Sequence, residues 1–510
     1  MSRLAAAAFG VGLAVRLLLL PTEGTADVQS WKAWAYTCAT DGPSRIYGSN
    51  EPLPFTLAGV TRALSGDVAN RKVLWNGQRF YVDYPPLTMY YLTAVGRLYL
   101  ALDPSFSDSP LLDALVKLPS LVADALLALL LYWYLRRRPS STPAHSPSQP
   151  PPLGEEHEHI PIDVATAEHK LPSPAAHNLQ STIYSLQSPL IWYWLNPGLM
   201  LALGLGYLDA SFTLPLVASV IMLLQRRYLP AWLLFTIAAL TKLQGVFLLP
   251  VLLLVSIAER GRRTFAYVAA AVALGATLLL PYILNGRFTQ LLAGLSYNGQ
   301  ENFVSGNNAN LWWLISYAHA AANGGLGART VLYRVTDFTA EVGVSPRLIG
   351  LALYALFVAG TLAWLWTRRQ QRASIAAAAA MLFYGYTMLL TQVHENHLYP
   401  FFALWLLFVA LGGGATKGVI NHAPTDDNVR AQFIAPARTT RVYLLAAAVY
   451  LLNLFLFYGL GRGTLLGEDG GGLRMALGFD LTVPLAGANL LLFGWSVYLL
   501  LRWQGSADPR

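Results

Sequence analysis

Two apolar runs joined by a polar segment decide the fold: IAAAAAMLFYGYTMLL (Ile375–Leu390), TQVHENH (391–397) and LYPFFALWLLFVAL (Leu398–Leu411). The polar segment places His394, Glu395 and His397 between the two runs. A bilayer imposes a high free-energy cost on ionisable groups held at depth, so such groups normally lie at a membrane boundary or in a polar cavity. A single histidine would fit an interfacial turn that faces water. Three ionisable groups within four positions favour a functional site.

The composition is typical of a membrane protein. Of 510 residues, 55% are hydrophobic and 12% are charged, whereas soluble domains contain about 25% charged residues. The many long apolar runs predict one large polytopic unit. The net charge of +8 lies in short basic clusters between these runs, which set membrane orientation, and no nucleic-acid-binding motif is present. The single cysteine, Cys38, excludes an intramolecular disulfide and a cysteine-based zinc site.

The basic clusters predict the topology. Placing them all on the cytoplasmic side gives an alternating path with both termini in the cytoplasm. The first run, Leu4–Leu20, is interrupted by Arg16 and has no small-residue cleavage site after it, so we expect a retained span. The chain is therefore predicted to be an all-α polytopic membrane protein with about twelve (11–13) transmembrane helices. The expected spans are 3–20, 118–135, 183–198, 208–225, 229–241, 244–258, 264–284, 346–367, 374–391, 398–413, 440–460 and 484–502.

The spans divide the chain into five regions. A long first outer loop follows the first span, and its amphipathic stretch Leu87–Leu102 is expected to lie in the membrane interface. A segment rich in proline, serine and histidine has too little apolar surface to fold and is predicted to be a disordered cytoplasmic linker. A polar loop precedes the last two helices. The regions are 1–138, the linker 139–182, the transmembrane core 183–413, the cytoplasmic loop 414–439 and the C-terminal helices 440–510.

On this path the notable polar residues fall on the non-cytoplasmic face. Each has an ordinary structural explanation, because aspartates cap helices or pair with lysines, lysines reach toward lipid headgroups and tryptophans anchor helices at the interface. Together, they indicate a polar cavity at the outer membrane surface. Besides His394, Glu395 and His397, the candidates are Asp27, Asp83, Tyr84, Lys117, Asp209, Lys242, Gln244 and Trp312.

These residue types suit one kind of chemistry. A carboxylate can act as general base on a hydroxyl nucleophile, and lysine or imidazolium can stabilise the negative charge of a departing phosphate. An enzyme that moves sugar from a lipid phosphate to an alcohol needs both. Because phosphate is a good leaving group, a protonating acid like that of a glycosidase is not strictly required.

Three motifs also carry a family resemblance. DVQSW (Asp27–Trp31), VDYPPLT (Val82–Thr88) and QVHENHL (Gln392–Leu398) resemble motifs of the C-type (GT-C) membrane glycosyltransferases. They are most similar to dolichyl-phosphate-glucose-dependent glucosyltransferases of asparagine-glycan assembly and to their prokaryotic polyprenyl-phosphate-sugar-dependent relatives. The prokaryotic pattern has Trp-Gly-Gln before the aspartate equivalent to Asp209, where this chain has Gly206-Tyr207-Leu208.

The resemblance implies an inverting hexosyltransferase, with glucose or mannose as the sugar. It makes Asp27 the general base and Asp83 a residue that shapes the outer loop or acceptor site. It places His394, Glu395 and His397 against the donor phosphate or sugar, with Lys242 and Gln244 nearby. The implied partners are membrane lipids, a polyprenyl-phosphate-sugar donor and a lipid-linked glycan or other hydroxyl acceptor, in a bacterial plasma membrane or the endoplasmic reticulum.

The sequence leaves two questions open: the class of function and the need for a metal. A lipid-linked sugar flippase or transporter is the alternative function, although no internal repeat of the kind common in carriers is visible. No cofactor is expected. A divalent metal is not excluded, because Asp27, Asp83, Asp209 and Glu395 could supply oxygen ligands.

Overall fold

The computed structural model describes residues 3–47, 55–65, 72–136, 189–297, 301–322, 334–412, 426–462, 474–476 and 479–503. The predicted linker 139–182 lies outside these residues. Within them the chain is predominantly helical. The α-helices, α1 to α19 in order, are Arg3–Leu19, Ala26–Thr40, Leu57–Ser65, Pro86–Leu102, Pro110–Arg136, Pro189–Trp194, Pro197–Gly204, Asp209–Leu224, Tyr228–Thr241, Leu249–Arg260, Arg263–Leu284, Phe288–Tyr297, Leu311–Ala322, Val335–Val342, Pro346–Arg368, Arg372–Leu389, Tyr399–Gly412, Asp426–Tyr458 and Thr482–Arg502.

Six helical segments of the described residues are long and apolar enough to cross a membrane. Two further apolar helices, α8 and α9, are shorter. A full hydrocarbon core requires about 20 residues of helix, and the long apolar segments indicate a membrane-embedded helical protein. The six are Pro110–Arg136, Leu243–Arg260, Arg263–Leu284, Pro346–Arg368, Arg438–Tyr458 and Thr482–Arg502.

Several helices differ from the expected spans. The span expected at 183–198 is divided in its described part, because α6 ends at Trp194 and α7 begins at Pro197. Asn196 forms the break: its side chain accepts hydrogen bonds from the backbone N–H groups of Gly198 and Leu199. Such an N-cap followed by proline starts a new helix. Helix α5 begins at Pro110 rather than at residue 118, and α18 begins at Asp426, inside the expected loop 414–439.

The region between α1 and α5, which is expected to be the first outer loop and keeps that name below, contains a β-hairpin as well as helices. Strands β1 (Lys72–Trp75) and β2 (Gln78–Tyr81) pair antiparallel, with Lys72 opposite Tyr81. Asn76 and Gly77 form the turn, with φ of 48° and 74°. Asn-Gly is a strong signal for a tight hairpin, since both residues tolerate positive φ. A second short hairpin joins β3 (Met475–Ala476) to β4 (Phe479–Asp480).

Helices α2 and α4 of the outer loop pack closely. The point of contact is Gly96, where an added Cβ would lie 2.1 Å from the carbonyl oxygen of Ala35. The absence of a side chain at Gly96 therefore allows the two backbones to touch. The stretch expected to lie in the membrane interface thus has one side buried against α2, with Met89, Leu92 and Val95 in the same apolar cluster as Trp34 and Cys38 of α2.

The helical core contains a buried ion pair. Arg16 of α1 and Asp124 of α5 have no exposed side-chain surface, and Nε of Arg16 lies 2.7 Å from Oδ2 of Asp124. The hydroxyl groups of Tyr193 and Tyr399 donate to the other carboxylate oxygen at 2.6 and 2.8 Å. The guanidinium also stacks 3.7 Å above the ring of Trp194. The pair therefore ties together α1, α5, α6 and α17.

Candidate functional site

One polar cavity of about 360 Å³ collects most of the sequence candidates. The outer loop, the break after α9, the segment near residue 301 and the polar segment 391–397 all contribute to its wall. Seven residues singled out from the sequence line it: Asp27, Asp83, Tyr84, Lys242, Gln244, His394 and His397. The expected convergence of the outer-loop acids with the histidine segment is therefore seen.

Asp27 stands in the first turn of α2, where the positive end of the helix dipole favours a carboxylate. Its carboxylate lines the cavity and makes no hydrogen bond or close ion pair with any residue that the structure describes. Burial raises the pKa of Asp27 above its ordinary value, while the charges of His394 and Lys242 oppose that rise. An acceptor hydroxyl in the cavity could therefore meet a carboxylate that is not engaged elsewhere.

Lys242 supplies a fixed positive charge. It lies in extended backbone between α9 and the 3₁₀ turn Leu243–Leu248, so its side chain leaves a break between two helical segments. Its Nζ is 2.8 Å from Oδ1 of Asp209. The side-chain amide of Asn396 donates to the other oxygen of that carboxylate at 2.7 Å. Asp209 thus holds both Lys242 and the polar segment in place.

His394 carries a second positive charge. Its Nε2 is 3.7 Å from Oε2 of Glu301, and 41% of its side chain remains exposed to the cavity. Burial lowers the pKa of His394, but the carboxylates of Glu301, Glu395 and Asp27 outweigh that effect and raise it to about 9. The imidazole is therefore a cation at neutral pH, which suits an anionic ligand.

His397 plays a different part from His394. Its Nδ1 lies 2.8 Å from the hydroxyl of Tyr386, and its Nε2 lies 3.2 Å from the side-chain amide nitrogen of Gln244. Burial, together with the positive charges of Lys242 and His394, holds the pKa of His397 well below its ordinary value. His397 is thus a neutral hydrogen-bonding group that fixes Gln244 at the cavity wall.

The second cavity acid, Asp83, follows strand β2 and precedes α4. Burial, with the negative charges of Glu301 and Asp27, raises the pKa of Asp83 to about 7. The next residue, Tyr84, packs edge-on against Trp31, with ring centroids 4.8 Å apart. Tyr84 also lies 5.5 Å beneath Nζ of Lys242. This aromatic cluster joins the outer loop to Lys242 at the cavity wall.

Four candidates do not line the cavity. Asp209 and Glu395 are buried behind it, and Oε1 of Glu395 accepts a hydrogen bond from Tyr207. Lys117 lies elsewhere, donating to the backbone oxygens of Thr22 and Gly204 at 2.5 and 2.8 Å. Trp312 is buried in an apolar cluster, and its Nε1 donates to the backbone oxygen of Leu389 at 2.8 Å. Lys117 and Trp312 therefore have structural partners of their own and do not line the cavity.

Sequence reasoning also missed residues that line the cavity. Arg79 and Tyr81 lie on strand β2. The Asn76-Gly77 turn signal would have revealed the hairpin to which this strand belongs. Tyr81 stacks on Tyr297, with ring centroids 4.4 Å apart. Glu301, Gln392 and Tyr386 complete the wall near the histidines. Glu301 follows no motif, so only the three-dimensional arrangement identifies it.

The cavity is lined by both carboxylates and cations, and the carboxylate of Glu301 lies beside His394. Among the residues that the structure describes, no group of three or more histidine, cysteine, aspartate or glutamate side chains is arranged to hold a metal ion. Lys242 and His394 are placed to bind an anion.

A scan against models of known protein families and a search of curated proteins each give no match for this chain.

Proposed function

We propose that this chain is an inverting glycosyltransferase that moves a hexose from a polyprenyl-phosphate-sugar donor to a hydroxyl acceptor. One observation carries the proposal: the carboxylate of Asp27, which has no hydrogen-bond or ion-pair partner among the described residues, shares a cavity with the cations Lys242 and His394. This reaction needs a general base and groups that stabilise the departing phosphate, and these three residues are suited to the two roles.

The reaction follows from these positions. Asp27 takes the proton of the acceptor hydroxyl as its oxygen attacks the anomeric carbon of the donor sugar. The new bond between carbon and acceptor oxygen forms while the bond between carbon and phosphate oxygen breaks. The electron pair leaves with the lipid phosphate, whose charge Lys242 and His394 stabilise. Attack opposite to the leaving group inverts the configuration at the anomeric carbon.

The proposal includes the finer topology. About twelve spans in a GT-C-like arrangement, with both termini cytoplasmic, would place the cavity at the non-cytoplasmic face. The six long apolar helical segments and the shorter apolar helices α8 and α9 support a polytopic path. Short helices are tolerated in membranes where they border protein or a water-filled cavity, and α9 ends at the cavity residue Lys242.

A turnover assay tests the proposal. Purified protein is incubated with a panel of polyprenyl-phosphate sugars and a membrane extract as acceptor source, and the release of free polyprenyl phosphate is measured. We expect Asp27→Asn to reduce release by about 100-fold or more, the scale typical of a lost general base, while donor binding persists. The matched control is Asp41→Asn, which alters an exposed carboxylate just after the other end of α2.

Three results would overturn the proposal. The first is turnover of the Asp27→Asn variant at the wild-type rate. The second is loss of turnover in the Asp41→Asn control as well as in Asp27→Asn. The third is uptake of lipid-linked sugar into liposomes without any release of polyprenyl phosphate, which would identify a transporter.

A further inference from the structure

The segment that begins at Glu301 is bonded directly to the segment that bears His394. The backbone N–H of Gln392 donates to the carbonyl of Val304 at 3.0 Å, and the N–H of Gly306 donates to the carbonyl of Val393 at 3.1 Å. Gln392 adopts a φ of 61°, which is uncommon for a residue with a side chain. Strained backbone of this kind persists where the surroundings impose it. The contact between the two segments is therefore specific.

The main chain of Glu301 is anchored from two sides. Its carbonyl oxygen accepts a hydrogen bond from Nη2 of Arg347 at 2.5 Å and another from the side-chain amide of Gln392. Arg347 stands in the first turn of α15. These bonds fix the start of the segment, so the Glu301 carboxylate has a defined place beside the cavity.

The imidazole of His394 is held between this carboxylate and the glycine backbone. Nε2 of His394 lies 3.7 Å from Oε2 of Glu301, an ion-pair distance too long for a hydrogen bond. On the other side, a Cβ added at Gly306 would lie 2.8 Å from Nδ1 of His394. The ring therefore has a close wall at Gly306 and a charged partner at Glu301.

Other charged groups also face His394. The carboxylates of Asp27, Asp83 and Glu395 act on it through space, and His397 is 5.7 Å away between ring centroids. Within the described part of the chain, Glu301 is the acid that comes within 4 Å of the ring. Asp27 is assigned to the acceptor, and Glu395 is bonded to Tyr207. Among these acids, Glu301 is thus the one whose carboxylate pairs with His394.

We propose that Glu301 is a positioning residue, which keeps His394 protonated and directed into the cavity so that it binds a phosphate anion. The identity of that anion as the donor's lipid phosphate rests on the proposed transferase function. The pairing of Glu301 with His394 does not depend on that function. An opposite charge at this distance favours the charged form of a histidine, so the anion site keeps its charge well above neutral pH.

The variant Glu301→Gln keeps the shape of the side chain and removes its charge. The pKa of His394 should fall by about one unit or more, the usual effect of losing an opposite charge at this range. Hydrogen–deuterium exchange at the imidazole carbon between the two ring nitrogens follows the titration of each histidine by mass spectrometry. Cleavage after Glu395 separates His394 from His397, and no substrate is needed.

A matched control is available at a second histidine–glutamate pair. His319 Nδ1 lies 3.1 Å from Oε2 of Glu341, which does not line the cavity. Glu341→Gln should leave the titration of His394 unchanged. An unchanged His394 titration in Glu301→Gln, or an equal shift in both variants, would overturn the proposal.

Binding of polyprenyl phosphate gives the second readout. We expect the Glu301→Gln variant to bind nearly as well as wild type at about pH 6, where His394 is still protonated. At about pH 9 its affinity should be lower by up to about tenfold, the equivalent of one pKa unit. An equal loss at both pH values would show a merely structural role and refute the proposal. If the wild-type protein transferred sugar from none of the donors, the transferase function would be refuted. The His394 titration and the binding of polyprenyl phosphate would still test the role of Glu301.

Discussion

Three aspartates with different surroundings illustrate what decides function at the scale of a residue. Asp124 is saturated by Arg16 and two tyrosines, and Asp209 is shared between Lys242 and Asn396. Asp27 has no such partner among the described residues. A carboxylate engaged in structural hydrogen bonds is a weaker base. Asp27 is therefore the candidate base among these three aspartates.

The pH dependence of the reaction follows from the cavity charges. A general base works when deprotonated, so the rate should rise with pH through the pKa of Asp27, which burial raises above the ordinary value. The rate should fall again as His394 loses its proton at a pKa of about 9. We therefore predict a bell-shaped profile of kcat/KM, measured from about pH 5 to pH 10.

Asp83→Asn distinguishes the two acids. Burial raises the pKa of Asp83 to about 7, so Asp83 also titrates on the acidic side of the profile. The acidic limb of the profile should persist in Asp83→Asn if Asp27 is the base, and it should move to lower pH because one neighbouring negative charge has been removed. Disappearance of the acidic limb in Asp83→Asn would argue against Asp27 as base.

At the scale of a residue, the sequence identified polar side chains that each lie in a recognisable motif. Asp27, Asp83, Lys242 and His394 were all candidates, and they line one cavity. Lys117 looked equivalent to Lys242, since each lies directly at the end of an expected span, yet Lys117 donates hydrogen bonds to backbone oxygens. Which polar groups a lysine meets depends on long-range packing, and no local pattern reports it.

At the scale of elements, the packing of α2 on α4 controls both cavity acids. Asp27 opens α2, and Asp83 lies three residues before α4. Gly96 sits in the middle of this contact. A change that separates the two helices should therefore affect stability and the position of both carboxylates.

Gly96→Ala tests this contact. The added Cβ would lie 2.1 Å from the backbone oxygen of Ala35, so the helices must move apart. We expect a loss of about 1–3 kcal/mol in the free energy of unfolding, as in other overpacked sites. Gly360→Ala in α15 is the matched control, because nothing lies within 4 Å of the Cβ built there. It should be neutral or stabilising by up to about 1 kcal/mol.

The measurement is thermal unfolding of both variants in the same detergent. A Gly96→Ala protein as stable as Gly360→Ala would contradict the close approach of α2 and α4.

Element boundaries show what local sequence can and cannot specify. The break at Asn196-Pro197 and the Asn76-Gly77 turn are local signals, and the structure follows both. Hydropathy alone predicts one continuous span across Asn196-Pro197 and no strands around Asn76-Gly77. The early start of α5 at Pro110 depends instead on contacts such as the buried pair of Asp113 with Lys32, which join distant parts of the chain.

At the scale of the whole molecule, apolar helices form a scaffold that holds the cavity. The Arg16–Asp124 pair links α1 to α5 across 108 positions of sequence, and the Lys242–Asp209 pair links the break after α9 to α8. Removing one partner of a buried ion pair typically costs about 3–5 kcal/mol. The general membrane character could be predicted from composition, whereas these cross-links depend on which helices are neighbours.

The central claim is that Asp27 faces a sugar whose phosphate is held by Lys242 and His394. The most direct measurement is a cryo-electron microscopy structure of the Asp27→Asn variant bound to the donor that the turnover panel selects. We predict density for the phosphate within hydrogen-bond distance of Lys242 or His394, with the anomeric carbon facing residue 27. Density for the phosphate outside this cavity, or for a sugar turned away from residue 27, would contradict the claim.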